Sequence, residues 1–510
     1  MFSIKNFPTL KTHKTIAIIV IVLYLLSLTK SLYTSRLGFG LVDEGENVHN
    51  GLRIINGEIP YRDFFAYLPP LKNTWAAFAF KFFGVNVYAP RLLSSLIFSF
   101  FPPLVFLLAR RFTNLKYALI PAILLVFAEL NMERLYYYSF IFAGFYLFVR
   151  DFKSDRKVFL LLSGLLIGIG SMIRLDAGGI FFLGLSLGTL IYGGFFFFRK
   201  VIPLFMIGFT IPFIILLNWL VRNNIVEIFL KRIFINPYLM TKVYSLPMPS
   251  FFNIFPKNIT PQDLFRSYET IFLYTILSIY IIFFVYLYRN WKKVWTKNFE
   301  LGTLSIIGIL LMPYMLGRGD MGHFIKGGIP AFILGTYLIS KTNKFKVITA
   351  SLIFTILCSG IAQVIWATKF YDTKLTFDTG SIFLNSSWPK NSTLISADTI
   401  NSAIEFVKSN TNRDEQFLAL PYMAGLYFLS GKTSPMYYDN VFFTYLSSET
   451  DYLNNLKSKD IKVVIYDPLN GPPSDKKSIA QYYPRIHDYI ITNYEIVTET
   501  QEGWLFMKKK

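Results

Sequence analysis

The apolar stretch TIAIIVIVLYLLSLTKSLY at residues 15–33 is followed, ten residues later, by Asp43-Glu44-Gly45-Glu46. An apolar run of about 20 residues is long enough to cross a bilayer as a helix. Ionisable groups placed next to hydrocarbon are costly and tend to mark sites that handle a polar ligand or reaction. Alternatively, the acids form only a solvated end of the membrane-spanning helix. Features elsewhere in the chain distinguish these two interpretations.

Composition indicates a membrane protein. Of 510 residues, 53% are hydrophobic, 18% aromatic and only 16% charged, a balance unlike that of a soluble domain. The net charge of +20 does not predict nucleic-acid binding, because the basic residues form short clusters between apolar runs instead of one patch. Such clusters are typical of cytoplasmic loops. They lie at residues 110–116, 150–157, 199–200, 289–297 and 341–346.

The apolar runs predict eleven crossings, with the N-terminus in the cytoplasm and the C-terminus outside. With that orientation every basic cluster falls at a cytoplasmic turn, as the positive-inside rule requires. We expect the first span to remain uncleaved, because no small-residue cleavage site follows it. The predicted spans are 15–33, 89–109, 117–131, 135–149, 158–173, 178–198, 201–221, 269–288, 301–316, 324–340 and 347–367.

Two predicted outer loops stand out, at residues 34–88 and 222–268. Within the first, residues 71–83 are apolar but too short to span, and Lys72 and Lys81 favour an interfacial helix. The second combines prolines, aromatics and the cations Lys231, Arg232 and Lys242, and long loops are often functional.

From about Tyr371 the apolar runs shorten, which predicts a small extracytoplasmic α/β domain over 371–510 after a transmembrane domain over 1–370. Residues 400–409 have the pattern of an amphipathic helix with Ser396 or Asp398 near its start. Residues 416–420, 462–466, 494–498 and 504–507 predict short strands. The acids and bases of this tail are dispersed, so we expect the chemistry to lie elsewhere.

The topology brings the ends of several spans to the outer face, where few cations are expected. Asp43 and Glu44 lie there, and so does the element Asn131-Met132-Glu133-Arg134. Ion pairing at helix ends would explain single Arg–Asp pairs. Glycines near the later motifs would let backbone approach a ligand closely. Those motifs contain Arg174 with Asp176, and Arg318 with Asp320, His323 and Lys326.

These residues suit transfer of a group from a phosphate-linked lipid. Guanidinium groups match phosphate oxygens bidentately. A carboxylate at the same face can take a proton from an acceptor hydroxyl. One cysteine, Cys358, and four scattered histidines do not predict a metal centre. No cofactor is therefore expected, although Asp43 and Glu44 leave a divalent metal possible.

The motifs resemble those of the GT-C superfamily of membrane glycosyltransferases, which includes protein O-mannosyltransferases, aminoarabinose–lipid A transferases and lipopolysaccharide core galacturonic acid transferases. The resemblance runs over nearly the whole chain. One element departs from it: residues 131–134 contain no Asp, where many relatives have one. The motifs that carry the resemblance, in order, are Asp43-Glu44-Gly45, residues 57–63, Pro69-Pro70, Phe83-Gly84, Ala89-Pro90-Arg91, Arg174-Leu175-Asp176 and residues 318–323.

The resemblance implies a polytopic α-helical membrane protein of the GT-C type, with about eleven transmembrane helices and an outward α/β tail. It implies that Asp43 is the catalytic base and that Glu44 is its neighbour in substrate binding. The donor phosphate would be held by the cations of the later motifs. The implied substrate-binding residues are Arg62, Asp63, Arg174, Asp176, Arg318, Asp320, His323 and Lys326.

The function expected from this resemblance is inverting transfer of a sugar from a polyprenyl-phosphate donor to an acceptor hydroxyl. The acceptor would be an envelope polysaccharide, lipid or protein outside the plasma or inner membrane. A transporter or flippase of lipid-linked sugars is the alternative, but it predicts repeats and polar groups near the bilayer midplane. A non-catalytic envelope protein would leave the acidic loop unexplained. No nucleotide-binding motif is present.

Overall fold

A computed structural model describes residues 10–127, 135–152, 156–236, 246–255, 261–341, 346–386, 395–446, 448–471 and 477–510. Its first ten α-helices are labelled α1 to α10. They are α1 Leu10–Thr34, α2 Asp43–Ile55, α3 Pro70–Phe83, α4 Tyr88–Phe98, α5 Phe101–Ala109, α6 Leu115–Phe127, α7 Tyr137–Asp151, α8 Lys157–Ile173, α9 Leu175–Arg222 and α10 Val226–Leu230. Later helices are Pro261–Arg289, Trp291–Lys297, Phe299–Leu316, Met321–Lys341, Lys346–Phe370, Ala397–Asn410, Ala424–Leu429, Glu449–Lys457, Ile479–Tyr482 and Pro484–Asn493.

Each of the eleven apolar runs predicted as a span overlaps helix in the described chain; the run 89–109 comprises two helices, α4 and α5, and residues 128–131 of the run 117–131 lie outside the described residues. Among the described residues, five helical stretches are long and apolar enough to cross a membrane by themselves, so the chain has the character of a multi-pass membrane protein. The number of crossings stays a prediction. The five are His13–Thr34, Tyr88–Ala109, Leu175–Arg222, Asp263–Arg289 and Phe299–Leu316.

Helix α9 contains two of the predicted spans. Its backbone leaves helical geometry at Gly194, where φ is +65°. Positive φ is a conformation that glycine adopts without steric cost. The break therefore falls near the end of the predicted run 178–198, four residues before its last residue, and divides α9 into two helical segments.

The chain separates into two compact units that interleave along the sequence. The first unit comprises residues 1–34, 94–213 and 248–365, and the second comprises 35–93, 214–247 and 366–510. The predicted domains, 1–370 and 371–510, stay a prediction about how the chain is arranged on the membrane.

The first unit is a helical bundle packed through small residues. A Cβ added at Gly164 in α8 would lie 2.0 Å from the carbonyl oxygen of Phe205 in α9. A Cβ at Gly208 would meet the carbonyl oxygen of Leu161 at the same distance. Glycine at both positions lets the two backbones approach closely, a common device in membrane helix packing.

In the second unit, the outer loop and the tail fold together. Helix α2 packs against the helix Ala424–Leu429, and a Cβ at Gly45 would lie 2.4 Å from the amide nitrogen of Gly425. Gly425 also donates its N–H to the carbonyl of Leu41 at 2.9 Å. A buried apolar core, containing Val48, Phe80 and other side chains from both segments, continues across this contact. The helix that begins at Asp43 is therefore positioned by the tail, which sequence patterns did not indicate.

The described part of the tail contains six strands, β1 Thr373–Phe377, β2 Gly380–Leu384, β3 Leu418–Leu420, β4 Val463–Tyr466, β5 Tyr494–Glu499 and β6 Leu505–Lys509. Strands β1 and β2 form an antiparallel hairpin, and the other four form a sheet in the order β3-β4-β6-β5. Strand β3 pairs parallel to β4, and β6 pairs antiparallel to both β4 and β5. The four predicted strands are confirmed in this sheet, whereas the hairpin was not predicted.

The predicted amphipathic helix of the tail is also confirmed, as Ala397–Asn410. Its N-cap is Ser396, whose hydroxyl accepts the N–H of Thr399. Such a cap satisfies one of the unpaired amides of the first turn. The predicted interfacial segment 71–83 is helix α3, with Phe78 and Phe82 exposed.

Candidate active site

Asp43 is the first residue of α2 and its side chain is exposed. Three acids, Asp43, Glu44 and Glu46, lie in the first turn of the helix. Carboxylates are favoured there by the positive end of the helix dipole. Asp43 is thus an exposed carboxylate at the start of the helix, whereas Glu44 is buried and Glu46 is half-buried.

Glu44 points inward and forms a buried ion pair. Its Oε1 lies 2.5 Å from Nε of Arg91, and its Oε2 accepts the N–H of Gly40 at 3.1 Å. Arg91 also donates to the carbonyls of Ser35 and Gly38 at 2.5 and 2.7 Å. Glu44 therefore ties the segment before α2 to α4, and its carboxylate is already satisfied by protein groups.

Glu46 is half-buried three residues after Asp43. Burial, reinforced by the negative charges of Asp439 and Asp43, holds the pKa of Glu46 well above its ordinary value of 4.5, while Lys72 opposes the shift. The folded protein thus favours the protonated acid. A neutral carboxylic acid next to Asp43 can donate a hydrogen bond to it or to a ligand.

We expect this proton to make stability depend on pH. Because the pKa of Glu46 is raised on folding, its contribution is fully present below about 4.5 and is lost as pH rises through the raised value. Melting temperatures would be measured from about pH 4.5 upward through the raised pKa of Glu46. They should fall less steeply with increasing pH in Glu46→Gln than in the wild type. Equal slopes in the two proteins would show that Glu46 is ionised in the folded state.

His49, in the middle of α2, is fully buried and held by the tail. Its Nε2 accepts the N–H of Ser434 at 3.1 Å, so the ring proton must lie on Nδ1. Nδ1–H then donates to Oδ2 of Asp439 at 2.5 Å. Although burial raises the pKa of Asp439, the contacts with His49 and Arg53 bring it below its usual value.

Arg53 ends the same face of α2. It donates to Glu58 at 2.7 Å, to Asp439 at 3.2 Å and to the carbonyl of Asp63 at 3.1 Å. Its guanidinium lies 4.8 Å from the centre of the Phe64 ring. Asp43, Glu46, His49 and Arg53 therefore form one polar stripe along the helix, exposed at its start and buried at its end.

The second unit also contains Arg62, Asp63 and Tyr422. Arg62 is half exposed and forms a two-pronged pair with Asp63, both contacts at 2.8 Å. The hydrogen bond from Arg62 lowers the pKa of Asp63. In the tail, burial and the charges of Asp467 and Asp43 raise the pKa of Tyr422 to about 12.

The first unit contains the other predicted cations. Arg174, between α8 and α9, forms a two-pronged pair with Asp176 at 3.1 and 2.7 Å. The same guanidinium donates to the hydroxyl of Tyr314 at 2.8 Å. Lys326 is buried and donates to that hydroxyl at 3.4 Å. Two positive charges thus meet at one tyrosine oxygen, with one carboxylate beside them.

The segment 317–323 gathers a second group in the same unit. Nε of Arg318 lies 2.6 Å from Asp320, and Nδ1 of His323 lies 2.9 Å from the same carboxylate. Burial opposes ionisation of Asp320, but the hydrogen bond from His323 and the charge of Arg318 lower its pKa. The ring of Tyr314 lies 5.0 Å from that of His323. Tyr314 therefore contacts both the group around Arg174 and the group around Arg318.

Sequence reasoning missed the pair that positions this segment. Glu269 accepts the N–H of Met321 at 3.0 Å and pairs with Arg266 at 3.0 Å. Arg266 also donates to the carbonyl of Gly319 at 3.1 Å. The available signal was Glu269 itself, an acid at the outer end of the predicted span 269–288. A buried charge is usually retained only when it has a partner, so Glu269 indicated a nearby cation.

The predicted site residues therefore fall into two groups. Asp43, Glu44, Arg62 and Asp63 belong to the second unit. The element 131–134 lies outside the described residues. Among the described residues, no cluster of three or more metal-binding side chains is found. The first unit contains the others, namely Arg174, Asp176, Arg318, Asp320, His323 and Lys326.

No protein-family model matches the chain, and no curated protein matches it in sequence. Solved structures do resemble it over nearly its full length. The crystal structure of ArnT from Cupriavidus metallidurans bound to undecaprenyl phosphate has 12% identity, covers 98% of both chains and gives a TM-score of 0.55. ArnT from the same organism in the apo state has 10% identity, covers 96% of this chain and 97% of its own, and gives 0.57.

The chain has the fold of ArnT. ArnT is an aminoarabinose transferase of the GT-C superfamily, so the resemblance inferred from the motifs is confirmed in the fold. At sequence identities of 10–12%, the similarity extends to the fold alone. The same fold can support different functions, so function depends on the residues of the site.

Proposed function

We propose that this protein is an inverting membrane glycosyltransferase that moves a sugar from a polyprenyl-phosphate donor to an acceptor hydroxyl. The observation that carries the proposal is Asp43, an exposed carboxylate at the start of a helix fixed by a buried network. The structure of ArnT with undecaprenyl phosphate supports a lipid-phosphate donor for this fold. The acceptor and the sugar are defined only by class, as a hydroxyl compound and a hexose or pentose.

In the proposed reaction, Asp43 takes the proton from the acceptor hydroxyl as its oxygen attacks the anomeric carbon. A bond forms between that oxygen and the carbon, and the bond from the carbon to the phosphate oxygen breaks. Polyprenyl phosphate leaves with the electron pair. A single displacement of this kind inverts the configuration of the anomeric carbon.

We propose that Arg174, Arg318, His323 and Lys326 hold the donor phosphate, with Asp176 and Asp320 orienting the two arginines. Fixed cations stabilise the charge that grows on the leaving phosphate at no cost of rearrangement. The pairs with Asp176 and Asp320 hold each guanidinium in place before a ligand arrives. Arg62 and Asp63 are proposed to contact the acceptor, and Glu44 to hold the loop before α2.

Replacing Arg174 or Arg318 with Lys keeps the charge and removes the planar fork, and should weaken donor use by about 1 to 3 kcal/mol. Affinity for the lipid phosphate of the donor would be measured in the purified variants by titration with polyprenyl phosphate, the product that retains this group. Arg111 is a matched control, since it pairs with Glu300 at 2.7 Å in a predicted cytoplasmic cluster. If Arg174→Lys and Arg318→Lys bind the donor like Arg111→Lys, both motifs are structural ion pairs.

The proposed orientation places Asp43 and the tail outside the plasma or inner membrane, with eleven crossings. Sealed right-side-out and inside-out vesicles would each be given polyprenyl-phosphate sugars and candidate acceptors, and products would be identified by mass spectrometry. Products in right-side-out vesicles are expected. Absence of glycosylated product from every donor, in both vesicle types and in detergent, would contradict the proposed function.

A further inference from the structure

Arg232 lies in an unusual helical segment of the second unit. Helix α10 continues directly into a π-helix, Lys231–Ile235, and π-helical turns occur often at functional sites. Phe234 and Ile235 are exposed on one side of this segment. Arg232 and Asn236 are buried on the other, with 8% and 1% of their surface exposed.

The guanidinium of Arg232 is surrounded by aromatic rings. Its central carbon lies 5.0 Å from the ring of Phe65 and 5.8 Å from the rings of Tyr437 and Tyr438. Its Nη2 donates to the hydroxyl of Tyr438 at 3.2 Å. The three rings belong to the first outer loop and the tail, so the cation faces the tail and lies away from the exposed apolar side chains.

No carboxylate pairs with Arg232 in the part of the chain that the structure describes. Arg53 provides the contrast, because it is also buried and also lies over a ring, yet it pairs with Glu58 and Asp439. Contacts with rings offset only part of the cost of desolvating a cation. A buried guanidinium without a counter-charge favours binding of an anion.

Neighbouring polar atoms point to the same conclusion. Nε of Arg232 has no hydrogen-bond partner among the described residues, nor has either amide atom of Asn236. A buried polar group left without a hydrogen-bond partner destabilises the fold. Arg232 and Asn236 lie four residues apart on one side of the segment, so one ligand could satisfy both.

We propose that Arg232 and Asn236 bind an oxyanion, a carboxylate or a phosphate, carried by the acceptor. The rings of Tyr437 and Phe65 form the apolar wall of this site, against which the adjoining part of the acceptor packs. The assignment to the acceptor rests on the proposed function. The acceptor is favoured over the lipid donor because Arg232 faces rings of the first outer loop and the tail, whereas the exposed apolar side chains of Phe234 and Ile235 lie on the other side of the segment.

The test uses the purified full-length protein and two probes, glucuronate and inorganic phosphate, titrated calorimetrically at constant ionic strength with glucose as the neutral control. At least one anion should bind the wild type. Arg232→Gln should weaken that binding about tenfold or more, because a charge-assisted hydrogen bond is lost. Lys231→Gln removes an exposed charge from the neighbouring position and should bind like the wild type.

Asn236→Ala and Arg232→Lys both keep a positive charge at position 232, so we expect each to lose only about threefold in anion affinity. These two variants replace Arg232→Gln in the test if Arg232→Gln does not fold. The inference is overturned if neither anion binds the wild type, or if all three variants bind as tightly as it does. Saturating polyprenyl phosphate should leave anion binding intact. Full competition would assign the site to the donor and overturn the assignment to the acceptor. The titration needs no sugar transfer, so its outcome is independent of the proposed reaction.

Discussion

Asp43→Asn is expected to lower turnover by about 10²- to 10⁴-fold, the contribution of a positioned general base. Asparagine has nearly the same shape but cannot accept the proton of the acceptor hydroxyl. Because Asp43 is exposed, the substitution should leave the fold intact. The loss should appear in kcat under saturating donor and acceptor, with smaller changes in KM.

The control is Asp378→Asn, which alters an exposed carboxylate of the same unit that pairs only with Lys408 in the described chain. It should transfer sugar at the wild-type rate. The comparison also separates an enzyme from a flippase, because a flippase has no chemical step for Asp43→Asn to abolish. Wild-type turnover in a correctly inserted Asp43→Asn variant would remove Asp43 from the role of base.

The features that the sequence predicted are those encoded by neighbouring residues. The apolar runs fall on helices because twenty consecutive apolar residues need no distant partner to be recognised. The helix that begins after Ser396 has both its cap and its apolar face within one short segment. The Arg174–Asp176 and Arg318–Asp320 pairs were visible for the same reason, since each spans two positions.

The features that the sequence did not predict depend on partners far apart in the chain. His49 bonds to Asp439, 390 residues away, and nothing near either residue indicates the other. Strand β3 is three residues long, and its parallel pairing with β4 is set by the core instead of by a local pattern. Arg232 resembled any basic residue of an outer loop until its aromatic surroundings were known.

Glu44 illustrates the limit most clearly. In the sequence it is an acid adjacent to Asp43, and the family resemblance implies a role for it in substrate binding. In the structure it is 6% exposed and paired with Arg91, a residue quoted among the motifs without a role. Two adjacent acids on a helix point about 100° apart, so one can face the solvent while the other faces the core.

The second large effect is expected from breaking this pair. Both side chains are less than one-tenth exposed, and a buried charge that loses its partner costs about 3 to 5 kcal/mol. Arg91→Met leaves the Glu44 carboxylate unpaired and also removes the donors to the carbonyls of Ser35 and Gly38. Glu44→Gln removes the carboxylate that faces the Arg91 guanidinium but keeps an acceptor for the N–H of Gly40.

The free energy of unfolding of both single variants and of the double variant Glu44→Gln/Arg91→Met, measured by denaturant titration in detergent, forms a double-mutant cycle. The double variant should be more stable than the sum of the single losses predicts, because no isolated charge remains. Folded Glu44→Gln should still turn over substrate, since Asp43 is unchanged. A large loss of turnover in Glu44→Gln without a loss of stability would support a role for Glu44 in substrate binding, because a carboxylate that only holds a loop acts through the folded population and not through the chemical step.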